Sequence, residues 1–177
     1  LNYFRRLSSA FGWRYVAMVM CEYGGNQGTG LGFITSAKMY YLLDSVGMSS
    51  SEYGQLSGFA HIPWQLKSVF GLLSDTVGIN GMHRAPYLFL AGSVGMLSTL
   101  LLTSVPPSSI TYSVAALLFL GTNLNVAIAD VMVDATVAER SKTRPDLAAE
   151  LQALCWGSLG AFGVPTGILS GILLKVY

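Results

Sequence analysis

The sequence predicts an all-α membrane protein built from several transmembrane helices. Of its 177 residues, 52% are hydrophobic and only 11% are charged, and the mean hydropathy is +0.52. A soluble domain carries about a quarter charged residues, interleaved along an exposed face. Here the charged residues lie between long apolar blocks, which indicates an integral multi-pass membrane protein surrounded by a lipid bilayer.

Five apolar segments are long enough to cross the hydrocarbon of a bilayer, which takes roughly 20 helical residues. Short polar connections separate them. The first, fourth and fifth segments exceed the required length, which predicts tilt or helical extension beyond the membrane. In the fifth, Pro165 is expected to add a local break. The predicted spans cover about residues 15–43, 54–74, 86–105, 110–138 and 147–174.

The distribution of lysine and arginine predicts the orientation. Outside the spans, basic residues concentrate in the amino-terminal segment and in the loops after spans two and four, whereas the opposite side holds only Lys38 and Lys175. The positive-inside rule therefore predicts a cytoplasmic amino terminus. Residues 1–14, where aromatic side chains flank Arg5 and Arg6, are predicted to form a cytoplasmic interfacial lead-in. The sequence leaves open whether the membrane is plasma, vacuolar or plastid.

The first span is rich in glycine at helical spacing. Gly24, Gly28 and Gly32 recur every four residues, which lets a neighbouring helix approach backbone to backbone. Asn26 and Gln27 interrupt this run with amides that we expect a partner helix or a solute to satisfy. Static packing is the alternative interpretation. The same spacing recurs in span five at Gly163, Gly167 and Gly171.

Three charged residues are predicted to lie at one depth inside the membrane. With a helical rise of about 1.5 Å per residue, Glu22, Lys67 and Asp130 each fall roughly 12 to 15 Å from the cytoplasmic boundary of their span. A lone ionised group at that depth costs several kcal/mol. Lys67 is therefore predicted to pair with Asp130 or Glu22.

A further acid, Asp134, lies one helical turn from Asp130 on the same face. Three acids against one base leave a carboxyl without a permanent counter-ion, which makes that carboxyl a candidate proton carrier. The alternative is that Asp134 simply faces water. Trp64 and Trp156 flank buried polar positions, where they could stack on a planar ring or serve as packing aromatics.

Several classes of function lack support in the sequence. The net charge of +1 offers no broad basic surface for nucleic acid. The two cysteines and two histidines lack metal-ligand spacing, and no nucleophile elbow is present. The glycine run 24–32 lacks the spacing of a phosphate-binding loop. We therefore predict no catalytic residues, no cofactor, no metal and no nucleic-acid partner.

The motifs resemble those of a known transporter family. Gly71-Leu72-Leu73-Ser74-Asp75 followed by Arg84 is similar to the signature between helices two and three of the major facilitator superfamily. Three longer motifs, given below, resemble the folate-biopterin transporter family. Residues 23–28 and 83–87 are most similar to its plant members. The chain departs from that family at Ser68, where proline is usual, and at Ala85, where a second basic residue is usual. The three longer motifs are Pro63-Trp64-x-x-Lys67, residues 129–135 with Glu139-Arg140, and Leu151-Gln152-Ala153-Leu154-Cys155-Trp156-Gly157.

The resemblance implies a twelve-span fold of which this chain supplies five helices of the N-terminal six-helix bundle. The chain begins at Leu1, which is not methionine, and ends at Tyr177 directly after an apolar run. We therefore expect an N-terminal fragment whose partner is the missing C-terminal six-helix half. Any targeting peptide would lie upstream.

The implied function is proton-coupled transport of a small-molecule solute, a folate or pterin, by alternating access. Another small organic solute, or a truncated non-transporting membrane protein, is the alternative. The resemblance implies cytoplasmic gate roles for Asp75, Arg84 and Arg140. The candidate substrate-binding or proton-coupling residues are Glu22, Asn26, Gln27, Lys67, Asp130, Asp134, Gln152 and Trp156.

Overall fold

The computed structural model describes residues 2–176 and is helical throughout that range, apart from loops and one isolated antiparallel bridge. The prediction of an all-α protein is confirmed. The chain ends, Leu1 and Tyr177, on which the expectation of a fragment rests, lie outside the described residues. The α-helices are α1 (Asn2–Phe11), α2 (Trp13–Met20), α3 (Gly32–Tyr40), α4 (Ser50–Ala60), α5 (Ile62–Gln65), α6 (Lys67–Thr76), α7 (Ala85–Ser104), α8 (Tyr112–Thr143) and α9 (Ala148–Val176).

Three helical segments of the described chain are long and apolar enough to cross a membrane: Ala85–Ser104, Tyr112–Thr143 and Pro145–Lys175. They correspond to the third, fourth and fifth predicted spans. Large apolar side chains on α7 and α9 are exposed, with Phe89 75% and Val164 65% accessible, as expected of surfaces that lipid covers. The first two predicted spans consist of shorter helical pieces, so the count of five spans stays a prediction.

The first predicted span contains two π-helices, Cys21–Leu31 and Tyr41–Ser45, on either side of α3. The sequence predicted an α-helix there. Glycine has low α-helix propensity, so the glycine-rich run 24–32 has little intrinsic preference for the tighter turn of an α-helix over that of a π-helix. In a π-helix each hydrogen bond joins residues five apart, and such segments occur often at functional sites.

The second predicted span is divided into α4, α5 and α6. The interruptions lie at His61 and Leu66, whose ψ angles of −4° and 9° are flatter than those of an α-helix. Pro63 in the first turn of α5 has no backbone N–H to donate, and it restricts the residue before it. The chain therefore restarts a helix at Lys67, directly after the second interruption.

A tight two-residue turn connects α6 to α7. Asn80 and Gly81 have φ angles of 53° and 75°, the left-handed pair that a type I′ turn requires and that Asn-Gly favours. The flanking residues Ile79 and Met82 exchange two backbone hydrogen bonds of 2.8 and 3.0 Å. This turn fixes where the chain reverses between the two helices.

The last two helices are long and uninterrupted. Helix α8 has 32 residues and extends beyond the predicted boundary at residue 138. Helix α9 continues through Pro165, so the break expected there is absent. A proline removes one N–H from the helical ladder, and a membrane helix tolerates that loss when its flanking hydrogen bonds are kept.

The described chain divides into two compact units. Unit 1 comprises Leu1–Ala37 with Val133–Tyr177, and unit 2 comprises Lys38–Met132, so the boundary falls inside α8. Unit 1 has one apolar core, to which α1, α2, the first π-helix, α8 and α9 contribute. Its buried members are Leu7, Phe11, Tyr15, Val16, Val19, Tyr23, Val133, Val137, Leu147, Leu151, Leu154 and Cys155.

The glycines of the first π-helix lie directly against α9. A Cβ placed on Gly28 would lie 3.0 Å from the backbone oxygen of Leu159 and 3.1 Å from the backbone nitrogen of Gly163. Gly24 similarly faces Phe162, and Gly32 faces Thr166. The predicted close packing of this glycine row is therefore confirmed within unit 1, with backbone meeting backbone at Gly28.

We expect Gly28→Ala to destabilise the protein by about 1–3 kcal/mol, because the added methyl group would meet backbone that cannot move aside. Gly25→Ala is the matched control, since a Cβ at Gly25 meets no atom within 4 Å. The midpoint of unfolding in detergent measures both variants. Equal midpoints for the two variants would contradict the packing described for Gly28.

A capping box begins α4. The Glu52 carboxylate accepts hydrogen bonds from the Ser49 backbone N–H and hydroxyl, both 2.8 Å long, and these bonds lower the pKa of Glu52. The Ser49 hydroxyl in turn accepts from the Glu52 backbone N–H. Both residues satisfy groups that the helix end would otherwise leave unpaired.

Because the pKa of Glu52 is lowered in the folded state, the cap stabilises α4 above the unfolded pKa and is lost as pH falls through the folded pKa. Hydrogen exchange should therefore show lower protection factors for the first-turn amides of α4 at acidic pH. Glu52→Gln keeps an acceptor without the titration, so its protection should not change with pH. The same acid-induced loss in the glutamine variant would rule out Glu52 as its origin.

Candidate functional site

An ion pair between Lys67 and Asp130 is the central charged contact of unit 2. The Lys67 ammonium donates a hydrogen bond to Asp130 Oδ2. The Asp130 side chain is only 6% exposed and that of Lys67 31%. The pair that the sequence predicted is therefore present, and it provides a counter-charge for a carboxylate that burial alone would strongly disfavour.

Trp64 lies beside this pair and is held in place by a hydrogen bond. The Lys67 ammonium is 4.5 Å from the centroid of the indole ring, close enough for a cation–π interaction. The indole N–H donates to Asn123 Oδ1 at 3.1 Å, and the Asn123 amide donates to the Phe119 carbonyl at 2.9 Å. The exposed His61 ring stacks on Trp64, with centroids 5.8 Å apart and planes 15° apart.

Sequence reasoning missed Asn123 and His61. Asn123 is a buried amide inside the apolar run of α8, seven residues before Asp130. Residues seven apart share a helix face, so that spacing could have identified it. His61 was harder to identify from the sequence. The helix is interrupted at this residue, so its spacing of three residues from Trp64 does not by itself predict that the two rings stack.

Glu22, Asn26 and Gln27 form a polar cluster within unit 1. The buried Glu22 carboxylate accepts hydrogen bonds from the Asn26 amide at 3.0 Å and the Gln27 amide at 3.3 Å. The sequence led us to expect a partner helix or a solute for these amides, and Glu22 of the same segment is one acceptor for both of them. The reason is the π-helix, whose wider turn places residues four and five positions apart over the same carboxylate.

Tyr23 and Asp134 also form a contact inside unit 1. The Tyr23 hydroxyl donates to Asp134 Oδ1. Asp134 itself is exposed, so it both faces outward, as the alternative interpretation expected, and binds a buried tyrosine. The Trp156 ring, 65% exposed, lies 6.3 Å from that of Tyr23, and Gln152 is exposed one helical turn earlier on α9.

The three residues of the expected layer, Glu22, Lys67 and Asp130, do not all belong to the same unit. Lys67 and Asp130 belong to unit 2 and contact each other, whereas Glu22 belongs to unit 1. The contact between Lys67 and Asp130 is therefore confirmed, and a common depth of the three residues in the membrane stays a prediction.

The candidate gate residues are also divided between the units. In unit 2, Arg84 lies 3.5 Å from Asp75, so this ion pair connects the two ends of the α6–α7 connection. The Tyr87 hydroxyl donates to the Val77 carbonyl at 2.9 Å and ties α7 to the same connection. In unit 1, the Arg140 guanidinium lies 4.8 Å from the centroid of the Tyr15 ring.

Over residues 2–176, no group of three His, Cys, Asp or Glu side chains lies close enough together to hold a metal ion. Lys67 can contact either Asp130 or an anion that takes its place, because both are acceptors for the same ammonium group.

Comparison with known proteins identifies similar chains over nearly the whole length. The chain is 39% identical to the "Folate-biopterin transporter" of Synechocystis over 171 residues, which are 96% of this chain and 33% of the relative. It is 34% identical to "Probable folate-biopterin transporter 2" of Arabidopsis thaliana over 176 residues, 99% of this chain and 35% of the relative. With "Folate transporter 2" of Plasmodium falciparum it shares 31% identity over 113 residues, 63% of this chain and 24% of the relative.

The chain thus spans about a third of the length of the first two of these relatives. No solved structure matches it. The family profile that matches is that of the BT1 family, over residues 27–177. This stretch includes the buried pair, the α6–α7 connection and the fifth-span motif on which the resemblance rested, and the chain therefore belongs to the BT1 family.

Proposed function

We propose that the protein carrying this chain transports folates or pterins across a membrane by alternating access. The relatives named above support the solute class, and the Lys67–Asp130 pair beside Trp64 carries the proposal. A charged pair is costly inside an apolar helical unit, and intramembrane charges generally mark solute or proton pathways.

In this mechanism Lys67 binds the anionic or ring-carbonyl part of the solute, and Asp130 is the coupling carboxyl. When Asp130 accepts a proton, its negative charge no longer holds Lys67, so the ammonium group is available to the solute. When the proton leaves, Asp130 recaptures Lys67 and the solute is displaced. Solute and proton binding are therefore linked through one lysine.

The remaining candidates serve the same cycle. Glu22, with its amide donors, and Asp134, with its tyrosine donor, are further carboxyls that could exchange protons. Gln152 and Trp156, both exposed on α9, offer an amide and an indole ring to a planar solute.

The gate and the membrane orientation complete the proposal. With the amino terminus in the cytoplasm, Asp75, Arg84 and Arg140 contribute the charged contacts that keep the inward side closed. The C-terminal six-helix half provides the other wall of the translocation path, in the manner of major facilitator proteins.

Lys67→Ala should reduce folate uptake about tenfold or more, because the solute loses a hydrogen bond to a charged group worth about 1.5–3 kcal/mol and Asp130 loses its partner. The measurement is uptake of labelled folic acid by cells expressing the full reading frame, with membrane abundance determined in parallel. Lys142→Ala, which removes an exposed lysine near the end of α8, is the matched control and should retain uptake. Normal uptake by the Lys67 variant would remove this residue from the mechanism. If the wild-type protein imports an unrelated organic anion but not folic acid, another class of solute is favoured.

Asp130→Asn should abolish stimulation of uptake by a proton gradient, because asparagine still accepts a hydrogen bond from Lys67 but cannot carry the coupling proton. Uptake at acidic and neutral external pH, with and without a protonophore, measures this effect. Asp44→Asn, at an exposed acid in the second π-helix, should keep the wild-type response. If the Asp130 variant still responds fully to the gradient, another carboxyl couples the proton.

A further inference from the structure

Lys38, in α3, is a partly buried lysine that faces aromatic rings. Its ammonium lies 5.6 Å from the centroid of the Tyr53 ring and 5.8 Å from that of the Phe119 ring. Phe119 is only 3% exposed. Among residues 2–176 no carboxylate lies within 4.0 Å of the Lys38 ammonium. Its positive charge is therefore not neutralised by any acid of the described chain.

This environment differs from that of a lysine extending towards water. Such a side chain places its ammonium at the surface, whereas Lys38 directs its ammonium at a ring that is itself buried. Cation–π contacts offset part of the cost of desolvating the ammonium, but they leave its full charge in place. An anion that reached this position would gain a charge-assisted hydrogen bond.

One face of α8 connects Lys38 to the Lys67–Asp130 pair. Phe119, Asn123 and Asp130 lie on that face, because positions four and eleven residues apart recur near whole helical turns. They contact Lys38, Trp64 and Lys67 respectively. All six residues belong to unit 2. At about 1.5 Å per residue, Phe119 and Asp130, which the two lysines contact, are separated by roughly 16 Å along α8.

Trp64 lies between these two lysine positions and already has a planar ring stacked on it. The exposed His61 imidazole occupies that place, with centroids 5.8 Å and planes 15° apart, so the geometry around the indole is compatible with stacking of a flat heteroaromatic group. A solute with a ring system at one end and a carboxylate at the other matches this order of groups along α8.

We propose that Lys38 is an anion-binding position that holds the terminal carboxylate of an extended solute whose ring lies towards Trp64 and Lys67. The inference rests on the proposed transport of folates or pterins, and it specifies which of these two classes of solute the protein prefers. Folates carry a glutamate tail attached to the pterin ring, whereas biopterin has no carboxylate. Lys38 therefore favours folates over unconjugated pterins.

The test is uptake of folic acid and of biopterin by cells expressing the full reading frame with Lys38→Met, a variant of similar length without the charge. Losing a charge-assisted hydrogen bond should reduce folic acid uptake at low concentration about tenfold or more, while biopterin uptake should stay within about twofold of wild type. Biopterin uptake thus reports that the variant is folded and inserted. Lys38→Arg keeps the positive charge and should retain the preference for folic acid.

Three results would overturn the assignment of Lys38. These are equal losses for both solutes, no loss for either, and a loss in Lys38→Arg as large as in Lys38→Met. The failure of the proposed function is distinct from all three, because the wild-type protein would then import neither folic acid nor biopterin, and the inference would be refuted with it.

Discussion

The burial of Asp130 is the constraint on which the arrangement of unit 2 depends. A carboxylate that is 6% exposed needs a counter-charge, and Lys67 reaches it from the start of a helix that restarts after Leu66. The same interruption brings Trp64 beside the ammonium. The helix break, the indole hydrogen bond to Asn123 and the ion pair therefore form one connected arrangement, in which each contact restricts the position of the next.

The two units are stabilised by different kinds of contact. In unit 1 the first π-helix and α9 meet through glycines, so van der Waals contact between backbones contributes much of the association. In unit 2 one face of α8 carries aromatic, amide and carboxylate groups in sequence, and each binds a side chain from another helix. Unit 1 is thus held together in part by close backbone packing, whereas unit 2 is held together in part by contacts between polar and aromatic side chains.

The sequence predicted the features that follow from composition and long-range charge balance. Apolar segments and the cost of a lone buried charge were sufficient to predict membrane helices and the pairing of Lys67 with an acid, either Asp130 or Glu22. Local backbone geometry was harder to predict from the sequence. The π-helix at Cys21–Leu31 forms in a glycine-rich run with weak intrinsic preference for an α-helix. Glu22 binds Asn26, four residues away, as α-helical spacing also allows, and it binds Gln27, five residues away, which α-helical spacing does not suggest. Asn123 was missed although it lies on the same helix face as Asp130, because the sequence does not show that Trp64 is its partner.

The π-helix also bears on membrane thickness. Its wider turn advances a shorter distance along the axis for each residue than an α-helix does, because each hydrogen bond encloses one more residue. A segment of 11 such residues is therefore shorter than the same residues in an α-helix, and it would take up part of the surplus length of the first predicted span, which exceeds the roughly 20 residues that the hydrocarbon requires. We expect this predicted span to cross a bilayer of ordinary depth with less tilt than its residue count alone would suggest, and deletions in the glycine run to alter how it fits between the two water interfaces.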